Sequence, residues 1–289
     1  FTNIGPGAVF ENVVYNFYSE VTGSYWETGG ITYRNFGTIR NIYATYKGSK
    51  AFQSNQRFAL LTRSNSATGV IEYFVVKNEP EEDRSGFTAL NWSALVAVDN
   101  YGTIRYGYVY GDDIELVNVS QSYGRYVGGI ASQNVQIGKI YSVYSMVNMV
   151  QADRSDEGDS KKGVTWSTWY GAVTGSNNGT VRNTYSIGES TPAEDKSGAT
   201  NPVTAGGGRT KNVYYWNENN KSYSNTSVKL MTVENLYDMS WQDRLMGDGF
   251  DTTMVQIGYY PHVNLSADLP EQAGCEVIDL QGQLVIPPY

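Results

Sequence analysis

The chain has 289 residues, 40% of them hydrophobic and 17% charged, and a net charge of −8. This length supports a large core in one or two domains, and the 24 Tyr and 31 Gly favour β-structure over long helices. The acidic balance argues against nucleic acid or an anionic membrane as the main partner, because both attract Lys and Arg. A single cysteine, Cys275, excludes an intrachain disulfide. No apolar run approaches the roughly 20 residues that a membrane-spanning helix needs, so we predict no membrane insertion.

The chain repeats one short pattern. Its fullest copy reads NFGTIRNIYA at Asn35–Ala44, a turn signal followed by a strand-like run. The other six copies lie at Ala8–Tyr15, Gly69–Val76, Asn100–Val109, Gly138–Ser145, Asn178–Ile187 and Gly208–Tyr215. Successive copies begin 29 to 41 residues apart. A fixed unit with variable insertions is typical of a repeat architecture.

A second segment precedes the turn. It begins with small residues, continues with Ile, Leu or Val, and ends in Asn, as in GGITYRN at Gly29–Asn35 and GGIASQN at Gly128–Asn134. An aromatic residue stands two positions ahead of it at Trp92, Tyr126 and Trp169. Each unit is therefore predicted to hold one strand, an Asn turn, a second strand and a variable stretch.

In-register stacking of the units would place equivalent residues in columns. The second position after the glycine is nearly always β-branched, as an inward column requires: Phe10, Ile39, Ile71, Ile104, Ile140 and Val181. The fourth position should turn the chain through a left-handed conformation, and its Asn side chains should hydrogen-bond between coils: Asn12, Asn41, Tyr73, Tyr106, Ser142, Asn183 and Asn212.

These columns predict an all-β protein, a parallel β-solenoid of about seven coils. We expect a right-handed coil, the usual hand of strand–crossover–strand connections. A β-propeller is the rival repeat fold, but its blades need about 40 residues or more. The shortest interval of 29 residues is too short for a blade.

Variable stretches leave each unit after its second strand and carry most of the charges. In a solenoid, insertions at one register project from one face, where function is expected. The pattern changes after Tyr215, which divides the chain into a solenoid (1–216), a small C-terminal α/β cap with a short helix opened by Thr232 (217–266), and a linker or the start of a further module (267–289). The cap is expected to cover the open end of the stack.

The pairing of small-small-Ile/Val with Asn-x-Gly-x-Ile-x-Asn-x-Tyr-Ala resembles the GLUG repeat. GGIASQN and NFGTIRNIYAT are the closest matches, and the tail LMTVENLYDM…GYYPHV is similar to segments that follow such arrays. The resemblance extends over Ala8–Val263, although Tyr73 and Tyr106 replace the Asn of the typical repeat. It implies a bacterial surface protein, adhesin-like or the non-catalytic part of an immunoglobulin A1 protease-like protein. The chain would then be an extracellular fragment of a longer protein.

Few residues suggest catalysis. His262 is the sole histidine, so no His-Glu-x-x-His zinc site is present, and Cys275 has no second histidine to activate it. Asp153, Asp156, Glu157 and Asp159 offer oxygen ligands, but their spacing does not match an EF-hand and Lys161–Lys162 would oppose a cation. We therefore predict a chain that is not an enzyme and that has no metal or cofactor.

Aromatic residues are the candidate ligand-binding groups. A Tyr column six positions after the glycine would offer an aromatic stripe for sugars or proteins if it faces outward, and a packed core or corner if it faces inward. The candidates are Tyr43, Tyr108, Tyr144, Tyr185, Trp92, Trp166 and Trp169. The expected partner is a host protein, such as an immunoglobulin or matrix protein, or a glycan. The alternatives are a structural spacer in a large surface protein and a polysaccharide lyase or hydrolase.

Overall fold

A computed structural model describes residues 1–18, 27–48, 57–80, 88–89, 92–116, 125–151, 168–188, 190–191, 200–216, 227–232, 234–235, 238–246, 250, 263, 277–278 and 284–285. Most of the predicted insertions, the 153–159 acidic cluster, Trp166, His262 and Cys275 lie outside these residues. The division of the chain into three regions stays a prediction.

Four parallel sheets, named A to D, contain most of the strands, which are numbered in chain order. Sheet A holds β1 (Asn3–Ile4), β4 (Thr32–Asn35), β7 (Thr62–Asn65), β11 (Ala97–Asn100), β15 (Ala131–Asn134) and β19 (Thr174–Asn177). Sheet B holds β2 (Val9–Phe17), β5 (Thr38–Tyr46), β8 (Val70–Asn78), β12 (Thr103–Gly111), β16 (Lys139–Ser145), β20 (Thr180–Ser186), β23 (Arg209–Tyr215) and β24 (Lys229–Leu230).

The remaining strands are shorter. Sheet C holds β3 (Thr28–Gly29), β6 (Phe58–Ala59), β10 (Ser93–Ala94), β14 (Arg125–Gly128), β18 (Thr168–Gly171) and β22 (Thr200–Asn201). Sheet D holds β9 (Thr88–Ala89), β13 (Ile114–Leu116), β17 (Met149–Gln151) and β21 (Ser190–Thr191). An antiparallel pair, β25 (Val277–Ile278) and β26 (Leu284–Val285), and one helix, α1 (Met239–Met246), complete the described elements.

The predicted parallel β-solenoid is confirmed. Each strand of sheets A to D pairs in parallel with the equivalent strand of the neighbouring coil, so Ile104 lies between Ile71 and Ile140. The seven copies of the motif form β2, β5, β8, β12, β16, β20 and β23. Four consecutive coils contribute a strand to every sheet, from β6–β9 to β18–β21, so about four turns are complete and partial coils flank them. The coil hand stays a prediction.

The corner inside each sheet-B strand has the expected backbone. All seven residues at the fourth motif position have positive φ, from 48° at Asn183 to 60° at Asn12. Asn and Ser accept this left-handed conformation readily, whereas a bulky Tyr there is a true outlier. Asn41 Nδ2 donates to Asn12 Oδ1 over 3.0 Å, and Asn212 Nδ2 donates to Asn183 Oδ1 over 3.1 Å. The predicted Asn–Asn bonds between coils are confirmed.

A second, buried Asn ladder closes the turn between sheets A and B. Asn35, Asn65, Asn100, Asn134 and Asn177 are each fully buried. The Nδ2 atoms of the first four each donate to the Oδ1 of the next Asn over 2.8 to 2.9 Å. The turn glycine is required for space, because a Cβ at Gly102 would overlap the Gly69 carbonyl oxygen. Its φ is not positive, so close packing of the coils, and not backbone freedom, selects glycine.

The interior core is the predicted β-branched column with aromatic fillers. Ile39, Ile71, Ile104, Ile140 and Val181 are completely buried, and Phe10 packs against them at the first coil. The other large buried side chains in this core include Tyr46, Phe58, Phe74 and Tyr170. The core runs continuously through the stack, which is how strands too short to be stable alone are held.

The C-terminal segment packs along the side of the solenoid. Strand β24 pairs with β23 and extends sheet B, with Tyr214 opposite Lys229. Trp241 and Leu245 of α1 join the Tyr column in a second apolar cluster. Glu234 and Asn235 are helical shortly after Thr232, whose amide donates to Asn235 Oδ1 over 2.9 Å, as expected for a helix opened at Thr232. In α1, Asp238 Oδ1 accepts the Ser240 amide at 2.9 Å and caps the helix. Strand β24 therefore lies beyond β23 at the end of sheet B, and α1 packs against the Tyr column. The cap as a whole stays a prediction.

Candidate binding groove

The Tyr column is not an open aromatic stripe. Tyr108, Tyr144 and Tyr185 face away from the interior core, yet each is at most 2% exposed. Their rings are stacked, with centroids 4.6 Å apart for Tyr108–Tyr144 and 4.9 Å for Tyr144–Tyr185. Phe250 covers the Tyr185 end at 6.1 Å. Of the two orientations considered, the column faces away from the interior core, but Tyr110 packs on Tyr108 and Phe250 on Tyr185, and the rings are buried. They cannot stack on a sugar in this arrangement.

Tyr43 belongs to the same column but differs in surroundings. It is half-buried, and its hydroxyl lies 3.1 Å from the hydroxyl of Tyr110. That contact joins coils two steps apart along sheet B. Tyr43 therefore has a structural contact, and it remains the most accessible member of the predicted column among those described.

Trp92 and Trp169 lie in a different column, together with Tyr126. Tyr126 and Trp169 are directly paired between β14 and β18, and the rings of Trp92 and Tyr126 lie 5.5 Å apart. All three side chains are partly exposed. Arg57 holds the equivalent position one coil earlier, since the Phe58 amide donates to the Trp92 carbonyl over 3.1 Å. Its guanidinium lies 3.5 Å from the Trp92 ring centroid.

This column forms one wall of an outer groove between sheets C and A. The chain turns sharply between the two sheets, and β19 of sheet A lies close to β14 of sheet C. A Cβ at Gly175 of β19 would overlap the backbone of Val127 of β14. Across the bend, Ser132 Oγ donates to the Tyr126 carbonyl over 2.6 Å, and Tyr33 donates to Glu27 over 3.2 Å. In the first coils, side chains on the two sides of this bend contact each other, and we call their surface, together with the aromatic column beside it, the groove.

Charged residues form one end of the groove. Arg63 donates to Asp99 over 2.7 Å and pairs with Glu27 over 2.8 Å. Arg57 reaches the same carboxylates at 3.5 Å and 3.4 Å. The side chains of Arg63 and Asp99 are only 8% exposed. Burial, together with the neighbouring Arg63 charge, lowers the pKa of Arg57 from its usual value.

The charged end opens into a pocket of about 430 Å³. Its walls carry arginines, hydroxyls and aromatic rings from sheets C and A and from the turn that follows sheet A: Tyr33, Arg34, Phe36, Arg57, Arg63, Ser64, Ser66, Ala67, Asp99 and Tyr101. Asp99 is 5% exposed, and its Oδ1 has no hydrogen-bond partner among the described residues. A buried acceptor without a partner is costly, so this oxygen lowers the stability that the ion pairs of Asp99 contribute.

The sequence predicted only part of this groove. Trp92 and Trp169 were predicted, but Arg57, Arg63 and Asp99 were not. One signal could have found Arg57, because it stands two residues ahead of the small-residue segment, as Trp92 and Trp169 do. Asp99 and Arg63 gave no such signal, since each follows the ordinary strand pattern and becomes distinctive only when neighbouring coils pair.

The described part of the chain contains no group of three or more His, Cys, Asp or Glu that could hold a metal ion. None of its helices has the length and hydropathy to cross a membrane.

Comparison with known proteins gave no match among family models, curated protein sequences or solved structures.

Proposed function

We propose that this chain is a non-catalytic, glycan-binding module of a bacterial surface protein, adhesin-like in role, and that the groove between sheets C and A is its binding site. The observation that carries the proposal is the contact between the pocket and the aromatic column. Arg57 lines the pocket, and its guanidinium lies 3.5 Å from the ring centroid of Trp92, the first of the three partly exposed rings.

The chemistry of the groove suits a sugar chain. Exposed aromatic rings stack on the apolar faces of sugar rings. Each coil contributes one ring to the column, and neighbouring strands lie about 4.8 Å apart. The pocket supplies donors from Arg57 and Arg34, and hydroxyls from Ser64 and Ser66 that can both donate and accept. Carbohydrates need both kinds of group, because each hydroxyl donates and accepts a hydrogen bond.

The charges in the groove support binding over acid–base cleavage. Glu27 and Asp99 are each held in ion pairs with arginine. A glycosidase needs two carboxyl groups placed on either side of the bond that it cleaves. These pairs fix the shape of the pocket and hold Arg57 over Trp92.

A polysaccharide lyase is the second candidate. The observation that favours it is Arg57, whose pKa is lowered by burial and by Arg63 and which lies beside carboxylates in a groove. Incubation with acidic polysaccharides, followed by chromatography of the products, distinguishes the two. If shortened or unsaturated products form and are absent with the Arg57→Lys variant, the chain is a lyase and the binding proposal is wrong.

We expect Trp169→Ala to weaken binding to a glycan selected on an array by about tenfold, the equivalent of one lost ring stack of about 1.4 kcal/mol. Tyr126→Ala should have a similar effect, because the two rings are adjacent in the column. Isothermal titration with the selected oligosaccharide measures both changes.

Tyr18→Ala is the matched control, since Tyr18 is 57% exposed and lies on the loop that leaves β2. It should leave the affinity unchanged. An array without a hit would contradict the glycan proposal and favour the structural spacer. Equal losses of affinity in Trp169→Ala and Tyr18→Ala would show that the groove is not the binding site. A pull-down of host proteins that depends on Trp169 would keep the groove but change the class of ligand.

A further inference from the structure

The outer face of sheet B carries a strip of cations on an acidic protein. The outward positions before the corner residue contribute Arg105 of β12, Lys139 and Tyr141 of β16, Arg182 of β20, and Arg209 and Lys211 of β23. We call these six residues the basic strip. Its other outward positions, Thr103 and Thr180, are neutral. The strip thus concentrates five cations on four adjacent strands of a chain whose net charge is −8.

Acidic residues hold the same outward positions on β2 and β8. Glu11 pairs with Arg40, and Glu72 pairs with Arg105, the first cation of the strip, over 2.6 Å, so we call this end of sheet B the compensated end. Beyond Arg105, no acidic residue occupies an outward position of the strip. Lys139, Arg209 and Lys211 are exposed, and none of the described carboxylates lies within ion-pair distance of them. Among the described residues, cations without an acidic partner are therefore concentrated on β16 and β23.

Aromatic rings line the edge of the basic strip. Tyr106 lies 5.2 Å from Tyr73 and 5.9 Å from Tyr141, measured between ring centroids. The guanidinium of Arg105 lies 4.8 Å from the Tyr106 centroid, and that of Arg182 lies 4.6 Å from the Tyr141 centroid. Arg105 also donates to the Tyr141 hydroxyl over 2.9 Å. All these tyrosines are partly exposed.

Two features of this region lower the stability of the fold. Arg182 and Lys211 are directly paired on neighbouring strands, an arrangement in which like charges repel. Tyr73 and Tyr106 hold the left-handed corner at φ 53° and 57°, where the other coils use Asn or Ser. Neither feature improves packing of the interior core, which lies on the other side of the sheet. Unfavourable local choices that cluster on one surface point to a function there.

We propose that the basic strip is a second binding site, specific for an acidic polysaccharide. Arg182, Lys211 and Lys139 receive its carboxylate or sulfate groups, and the rings of Tyr106 and Tyr141 contact its sugar rings. The four strands extend over three strand spacings, about 14 Å, which suits several linked sugars and exceeds a single small anion. The site uses none of the groove residues, so it stands independently of the function proposed above.

Nucleic acid is the other polyanion with this chemistry. An acidic polysaccharide is favoured because Tyr106 and Tyr141 meet edge to face, at 89°, and do not form parallel platforms for successive bases. The experiment must therefore include a nucleic-acid probe.

The test compares four probes on the full chain by isothermal titration at several salt concentrations. The probes are a heparin oligosaccharide, an alginate oligosaccharide, neutral dextran and oligo-dT. Binding is expected for heparin, which carries sulfate, or for alginate, which carries carboxylate, and the two arms distinguish these groups. The double variant Arg182→Gln/Lys211→Gln should weaken that binding at least tenfold and reduce the salt slope by about two, one for each lost cation.

The matched control is Arg40→Gln/Lys47→Gln, which removes the same charge from the compensated end of sheet B and its following loop. It should change affinity less than twofold. Tyr106→Asn installs the residue that the equivalent corners at Asn41 and Asn183 already carry, so it should fold normally and weaken binding several-fold. Trp169→Ala should have no effect, which separates this site from the groove.

The proposal is overturned by an absence of binding to both acidic saccharides, by oligo-dT binding that equals or exceeds them, or by equal losses in the two double variants. Circular dichroism of each variant confirms that a loss of binding is not a loss of fold.

Discussion

Replacing Tyr144 with Ala is expected to lower the free energy of unfolding by about 4 kcal/mol, because the side chain is a large buried ring with packed neighbours on both sides. Tyr144 is 2% exposed, and its ring is stacked between those of Tyr108 and Tyr185. Its loss leaves a cavity in the middle of the second apolar cluster. Neighbouring coils cannot close that cavity, since the strand spacing is fixed by backbone hydrogen bonds. Urea unfolding monitored by circular dichroism measures the change.

The matched control for this prediction is Tyr144→Phe, which keeps the ring and removes the hydroxyl. It should lower the free energy of unfolding by no more than about 1 kcal/mol, the usual contribution of one hydrogen bond. A Phe variant as unstable as the Ala variant would show that the hydroxyl, and not ring stacking, stabilises the column. A stable Ala variant that lost glycan binding would show that the Tyr column takes part in binding.

The second large effect is expected for Asn100→Ala in the buried Asn ladder. Asn100 accepts from Asn65 over 2.8 Å and donates to Asn134 over 2.9 Å and to the Lys139 carbonyl over 3.3 Å. Alanine would leave three buried polar groups without these partners. Each such group costs about 1 kcal/mol or more, so we expect the free energy of unfolding to fall by about 3 kcal/mol.

The control is Asn178→Ala, which removes an exposed amide beside the ladder. It should change the free energy of unfolding by less than about 0.5 kcal/mol. Because a solenoid is stabilised by nearest-neighbour interfaces, Asn100→Ala should also broaden the urea transition as the coils on its two sides begin to unfold separately. A sharp transition with unchanged midpoint would contradict the assigned role of the ladder.

The two kinds of column explain what could be predicted from residues alone. The β-branched column at Ile39 and its equivalents repeats in every coil, so its inward orientation could be inferred from the pattern. The same holds for the left-handed corner, where Asn recurs and all seven residues have positive φ. The continuous Asn ladder that begins at Asn35 was not predicted. The sequence explains one Asn per coil by the turn alone, and the hydrogen bonds between these side chains become visible only when the coils are paired.

The candidate sites were less predictable for the same reason. Arg63 and Asp99 lie 36 residues apart in the chain, and their 2.7 Å contact depends on the register between β7 and β11. The basic strip likewise requires that Arg182 and Lys211 be neighbours across two strands. Insertions of differing length between copies hide such pairings from any fixed spacing in the sequence.

The architecture follows from the repeat pattern, because a repeated unit of short strands, an Asn turn and one inward column can bury its apolar residues only by stacking on copies of itself. Tertiary structure alone decided which outward columns are accessible. The Tyr column and the Trp92–Trp169 column both face away from the core, and both carry aromatic rings. The C-terminal segment covers the first with Trp241 and Phe250 and leaves the second partly exposed, because long-range packing, and not local pattern, selects the surface against which a terminal segment folds.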